Sequence, residues 1–133
     1  MVHDVPEEVR KLIADHIVSV EQLEILLLLR ARPDMEWTAK EVSEEMRTSE
    51  RSAATRLSDL RSRGFLDVRE QETRRYTFAP ATDALRRGVD ALADTYAERR
   101  YTVIDLIFEK PIDNLRVYAD AFRFRRKEDD SDG

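Results

Sequence analysis

Apolar positions along the chain come in short blocks, and their spacing changes twice. Val9, Leu12, Ile13 and Ile17 fall on one helical face. They predict a first helix from Pro6 to His16, with Asp4 able to cap it and Pro6 near its first position. Ser19 followed by Gln22 is a capping-box spacing, and Val18 with Leu23 is a hydrophobic staple. The helix that follows is apolar on most faces through Ile25-Leu26-Leu27-Leu28-Leu29, which predicts burial. It ends near Arg30-Ala31-Arg32, just before Pro33. The same grammar repeats at Thr38, with Glu41 completing the box and Trp37 and Val42 the staple, and a short helix to Met46. A tight connection, Arg47-Thr48, leads to Ser49, which caps a helix with Ala53, Leu57 and Leu60 inward. Gly64 ends that helix, as glycine does where the chain turns left-handed.

Beyond Gly64 the spacing shortens. Phe65, Leu66 and Val68 read as a strand, the polar stretch Arg69 to Arg75 as its loop, and Tyr76 and Phe78 as the returning strand. From Ala81 to Lys110 the helical period returns. Leu85, Val89, Leu92, Tyr96, Val103 and Ile107 make one stripe, joined by Ile104, Leu106 and Phe108. Pro111 breaks this helix, and Asp113 caps a last one with Leu115, Ala119 and Phe122 inward. The predicted fold class is mainly α with a small β-hairpin. The predicted division is an N-terminal helix over 1–18, a central domain over 19–80, C-terminal helices over 81–127 and a disordered acidic tail over 128–133.

Composition sharpens the picture in three places. Of the 133 residues, 41% are apolar, enough for a core, and 38% are charged, well above the usual quarter. No apolar run reaches the ~18 residues of a membrane span. The acidic N-terminal stretch is unlike a signal peptide, and with no cysteine the default expectation is a cytoplasmic protein without disulfides. The net charge of −5 opposes non-specific attraction to nucleic acid, but the charge is uneven. From Arg47 to Arg75 eight arginines face five carboxylates, a local surplus of three that leaves the remainder at −8. A basic segment in an acidic chain is a candidate electrostatic footprint. No nucleophile sits with a base, no glycine-rich phosphate loop exists, and the only histidines, His3 and His16, do not suggest a metal site. Neither an enzyme nor a cofactor is therefore expected.

The order helix, short strand, helix, tight turn, helix, hairpin resembles a winged helix-turn-helix. Trp37 to Met46 looks like its first helix, and Ser49 to Leu66 like a recognition helix running into the wing. The match rests on the serine cap, a small inward residue, Leu57 and Leu60 three apart, and Gly64 before an apolar pair. Arg74-Arg75-Tyr76-Thr77-Phe78 looks like the returning wing strand. With helices on both sides, the layout is similar to MarR-like regulators, in which terminal helices build a dimer. PadR-like regulators share a similar wing and long C-terminal helix, so that assignment stays open. The resemblance implies double-stranded DNA as partner. Arg51 and Arg56 are the candidate base readers, and Ser49, Ser52 and Thr55 serve base or phosphate. Thr38 and Lys40 are placed for a phosphate at a helix start, and Arg69, Arg74 and Arg75 for backbone or minor groove. Glu50 and Asp59 count against this unless they pair within the helix.

A helix of about 30 residues is ~45 Å long, more than a core of this size can cover. The expectation is a two-fold homodimer through Leu92, Tyr96, Val103, Ile104, Ile107 and Phe108, with the N-terminal helix adding contacts. The aromatic cluster Tyr96, Tyr101, Phe108, Tyr118, Phe122 and Phe124 is either plain core or the lining for an unidentified small-molecule effector. Two readings of the whole remain. One is a homodimeric DNA-binding transcriptional regulator. The other is a winged-helix adaptor for a protein partner, favoured by the acidic total. The bland alternative for the arginine-rich helix is a solvated face with internal salt bridges.

Overall fold

Side-chain caps decide where the helices begin. The computed structural model describes residues 5–109 and orders them as α1 (Glu7–His16), α2 (Val20–Ala31), α3 (Ala39–Met46), α4 (Glu50–Ser62), β1 (Leu66–Glu70), β2 (Arg74–Phe78), α5 (Asp83–Glu98) and α6 (Arg100–Phe108). Ser19, Thr38, Ser49 and Thr82 each accept a backbone N–H three residues on, at 3.0–3.1 Å. At Thr38 the box is complete, because Glu41 Oε1 also accepts the Thr38 N–H at 2.9 Å. At Ser19 it is not: the Gln22 side chain accepts from Val18 N at 2.6 Å, and Val18 is left 50% exposed. The staple expected there contributes little burial. Asp4, His3 and everything expected from Lys110 onward, including the Pro111 break, the Asp113 helix and the acidic tail, lie outside the described residues.

Two left-handed residues end helices. Arg47 follows α3 at φ 56°, ψ 46°, and so turns the chain into α4 within a few residues. Gly64 follows α4 at φ 91°. It directs Phe65 into β1, which pairs antiparallel with β2 in the register Leu66–Phe78, Val68–Tyr76 and Glu70–Arg74. Trp37 bridges the other edge of β2 through two 2.8 Å hydrogen bonds with Tyr76, which is the short strand expected before α3. One apolar core joins these parts, with Trp37, Leu23, Ile25, Leu26, Leu29, Leu57, Leu60 and Phe65 almost wholly buried.

The single long helix expected over 81–110 is instead two. The break falls at Arg99 (φ −135°, ψ 55°), where the chain has neither proline nor glycine. Its cause is tertiary. Beyond the break α6 turns back onto α1 and α5, so that Val103 (0% exposed) and Ile107 (4%) enter the chain's own core. Burying an aliphatic side chain yields roughly 2 kcal/mol. Interrupting a helix forgoes about three backbone hydrogen bonds of ~1 kcal/mol net each. The two effects are comparable, and packing settles the balance. α5 is tied to α2 by Arg30–Asp90 at 3.0 Å and by the Tyr96 hydroxyl donating to Glu24 at 2.6 Å. Burial, and then that carboxylate, push the Tyr96 phenol up to about 12, so it remains a donor. α1 approaches α5 at Gly88, where a Cβ would lie 3.3 Å from Leu12.

Candidate nucleic-acid interface

α4 carries three stripes with different destinations. Ala53, Leu57 and Leu60 face the core, fully buried. One residue before each of them comes a polar stripe, Ser52, Arg56 and Asp59, with Arg63 continuing it. A helix places those positions about 100° round from the apolar stripe, at the edge of the buried face. That edge meets α1 and the start of α2. Glu21 accepts from Thr48 Oγ1 (2.7 Å), Ser52 Oγ (2.6 Å) and Arg56 Nε (3.0 Å). Buried Gln22 donates to Asp59 Oδ2 at 2.9 Å and to the His16 carbonyl at 3.1 Å. Asp59 also holds Arg63 at 3.0 Å, and Arg63 donates to the Asp15 carbonyl. The Ser52 and Thr48 hydroxyls, aided by Arg56 and opposed by partial burial, keep the Glu21 carboxyl below its ordinary value.

The remaining stripe is open: Arg51, Ala54, Thr55, Ser58 and Ser62 are exposed, as is Glu50 at the helix start. This sorts the expected contacts. Arg51 and Thr55 face solvent, although the Thr55 hydroxyl donates to the Arg51 carbonyl at 3.0 Å. Arg56 does not face outward as expected. It is half-buried against Glu21, because its position borders the apolar stripe. Ser52 is likewise turned to Glu21, and Ser49 and Thr38 are engaged as caps, Thr38 only 8% exposed. Asp59, feared as a charge facing phosphate, pairs inward with Arg63. Lys40 is exposed in the first turn of α3.

The wing divides in the same way. Leu66, Val68, Tyr76 and Phe78 alternate toward the core, so Asp67, Arg69, Arg75 and Thr77 share the other face. Arg69 and Arg75 stand directly opposite one another there. Like charges so placed repel by some tenths of a kcal/mol. Arg69 is offset by Glu36 at 3.0 Å, while Arg75 has no ion pair among the described residues. The Trp37–Tyr76 bridge sets the residue after Trp37 beside the residue before Tyr76, which brings the start of α3 next to Arg75. Arg74 pairs with Glu70 across the strands at 3.0 Å; that carboxylate raises the Arg74 pKa, and both side chains are exposed. Such an exposed pair is well screened by solvent and yields readily to another anion.

Of the residues expected at a dimer interface, Leu92 on α5 and Val103 and Ile107 on α6 instead lie buried in the chain's own core, the last two carried there by α6 beyond the break at Arg99. Tyr96 and Ile104 are half-buried, and Phe108 is 73% exposed, with Tyr101 at 79% beside it. An open groove of about 370 Å³ lies between α1 and the start of α5, lined by Lys11, Leu12, Leu85 and Arg87 among others. Of the expected aromatics, those among the described residues, Tyr96, Tyr101 and Phe108, do not line it. Among the described residues no cluster of three His, Asp or Glu side chains could hold a metal, and no helix is long and apolar enough to cross a membrane. The sequence reading missed Glu21, Gln22 and Thr48. The signal was present: polar residues at 52, 56 and 59 each precede an inward position, which marks a stripe bound for a neighbouring helix.

No family model matches the chain, and no curated protein sequence matches it either. Solved structures do. One is MepR, a transcription regulator of the Staphylococcus aureus multidrug efflux pump MepA, at 13% identity, covering 90% of each chain with a TM-score of 0.52. A second is the homodimeric winged helix-turn-helix DNA-binding domain of a possible ArsR-family transcriptional regulator from Mycobacterium bovis, at 19% identity, 65% of this chain, 77% of that one and a TM-score of 0.52. A third is a possible transcriptional regulator from Methanosarcina mazei Go1, at 13% identity, 74% and 85% coverage and a TM-score of 0.51. At these identities the likeness speaks for the fold. The chain has a winged helix-turn-helix fold, with α3 and α4 as the helix pair, β1 and β2 as the wing, and α1, α5 and α6 set around them.

Proposed function

We propose that the chain is a homodimeric transcriptional regulator that binds duplex DNA, with α4 in the major groove and the wing on the backbone. The observation that carries this reading is the open stripe of α4. Arg51 and Thr55 are exposed in its first two turns, where a recognition helix reaches base edges, and Arg51 has no ion pair among the described residues. A bidentate Arg–guanine contact discriminates by about 1–3 kcal/mol. Arg69 and Arg75 on the solvent face of the wing, and Lys40 at the start of α3, supply cations for phosphates. The Mycobacterium bovis domain of the same fold is described as homodimeric and DNA-binding. A second reading, a protein-binding adaptor, draws on Glu44, Glu45 and Glu50, which are exposed around the tight turn.

The deciding experiment is fluorescence anisotropy of the full chain against pooled fragments of its own genome across a salt series, beside Arg51→Ala. Tight binding that weakens steeply with salt, and by roughly tenfold or more in the variant, is the expected result. No binding even at low salt sinks the DNA reading and leaves the adaptor.

A further inference from the structure

The inward stripe of α4 does more than fill space. Thr48, Ser52 and Arg56 converge on one carboxylate, Glu21, at 2.6–3.0 Å, and the next residue, Gln22, takes Asp59 at 2.9 Å. Two adjacent side chains in the first turn of α2 therefore hold the tight turn and most of the length of α4. The Glu21–Arg56 pair is only about a third exposed on either side, 28% and 32%, so it is screened less than a surface pair. Arg56 is also long enough, were it released, to swing from the edge of the buried face toward solvent.

We infer that Glu21 is a positioning residue: it sets the roll of α4 against α2 and withholds Arg56 from DNA, so that the first two turns of the helix present Arg51 and Thr55 without it. Glu21 thereby limits non-specific affinity, since one phosphate-seeking cation fewer faces the duplex. The inference rests on the DNA-binding reading.

The test uses the full chain as Glu21→Gln, Arg56→Gln and the double variant. Each is measured by anisotropy against an unrelated duplex over a salt series, and by urea unfolding. Glutamine keeps an oxygen acceptor for one of the two hydroxyls, turns an amide N–H donor to the oxygen of the other, and loses the charge that holds Arg56. The expected result for Glu21→Gln is several-fold tighter binding at low salt, with the slope of log affinity on log salt steeper by about one. In the double variant, whose net charge equals that of the starting protein, the slope returns to its original value. Weaker binding at an unchanged slope would mean that Glu21 is merely structural, and a gain that persists in the double variant would mean that Arg56 is not the cation released. Either result overturns the inference. If the unaltered chain binds no DNA, it is the DNA reading that fails. The clamp then stands on a non-additive Glu21/Arg56 cycle in urea unfolding, and additive losses overturn it.

Discussion

Glu21 is placed where negative charge is favoured twice, in the first turn of a helix and under three donors. Its carboxyl is held below the ordinary 4.5, by Ser52 first, then Thr48, with Arg56 adding to them against partial desolvation. A depressed folded-state pKa stabilises the fold above the unfolded value, and that contribution is lost as pH falls through the folded value. The stability gap between the starting chain and Glu21→Gln is accordingly widest near neutrality and narrows once pH drops below 4.5. Urea unfolding at several pH values would show this; a constant gap would mean that the charge of Glu21 is not coupled to folding. Gly64 gives a second residue-scale prediction. Its φ of 91° is unfavourable for any residue with a Cβ, while the space is adequate, since an added Cβ would lie 3.4 Å from Leu85. Gly64→Ala should therefore cost about 1–2 kcal/mol through backbone strain and not through a clash, measured by chemical denaturation. The sequence advertises Gly64, because a glycine after an amphipathic run marks a helix end. It does not advertise Arg47, whose left-handed backbone is imposed by the geometry of the turn between α3 and α4 and leaves no sign in the residue type.

Helices were legible where their start signals are local. Thr38, Ser49 and Ser19 each announce a cap in sequence, and each caps in the structure. Thr38→Ala removes one bond of the capping box and unsettles its return bond from Glu41, at a buried position. The loss should be about 1 kcal/mol, or roughly 3–5 °C in Tm for a chain of this size. Ser49→Ala removes one exposed bond and should cost less. A thermal melt of both variants checks the order as well as the size. The α5–α6 break shows why other elements were not legible. Residues 95–102 contain no helix breaker, and Tyr96 and Val103, seven apart, keep the helical spacing across Arg99 and Arg100. What interrupts it is the cover that α1 offers to Val103 and Ile107, a contact between elements about 90 residues apart in sequence that no local pattern encodes. The candidate site failed to read through for a related reason. An arginine on an arginine-rich helix looks the same in sequence whether it faces a groove or a carboxylate 35 residues earlier, and Arg56 faces the latter.

Whole-molecule architecture turns on α6, which is apolar on two sides. Val103 and Ile107 close onto α1 and α5, while Tyr101, Ile104 and Phe108, spaced three and four apart, line another face. Tyr101 is 79% and Phe108 73% exposed, unusual for aromatic side chains on a helix that also serves a core. A two-fold partner would cover this stripe with its own copy, and the same symmetry would set two α4 helices on half-sites one DNA turn, ~34 Å, apart. Because Phe108 adds little to the chain's own core, Phe108→Asp should leave the circular dichroism spectrum and the monomer fold intact. It should also shift sedimentation from dimer to monomer. The monomer would keep one recognition helix and lose the second, now separate, binding event. Affinity for a palindromic site should then fall by about a hundredfold or more, while affinity for unrelated duplex changes far less. If Phe108→Asp still sediments as a dimer, the two-fold contact lies on another face. If it is monomeric yet binds the palindrome as tightly as before, a single winged helix is the functional unit, and dimerisation serves something other than DNA recognition.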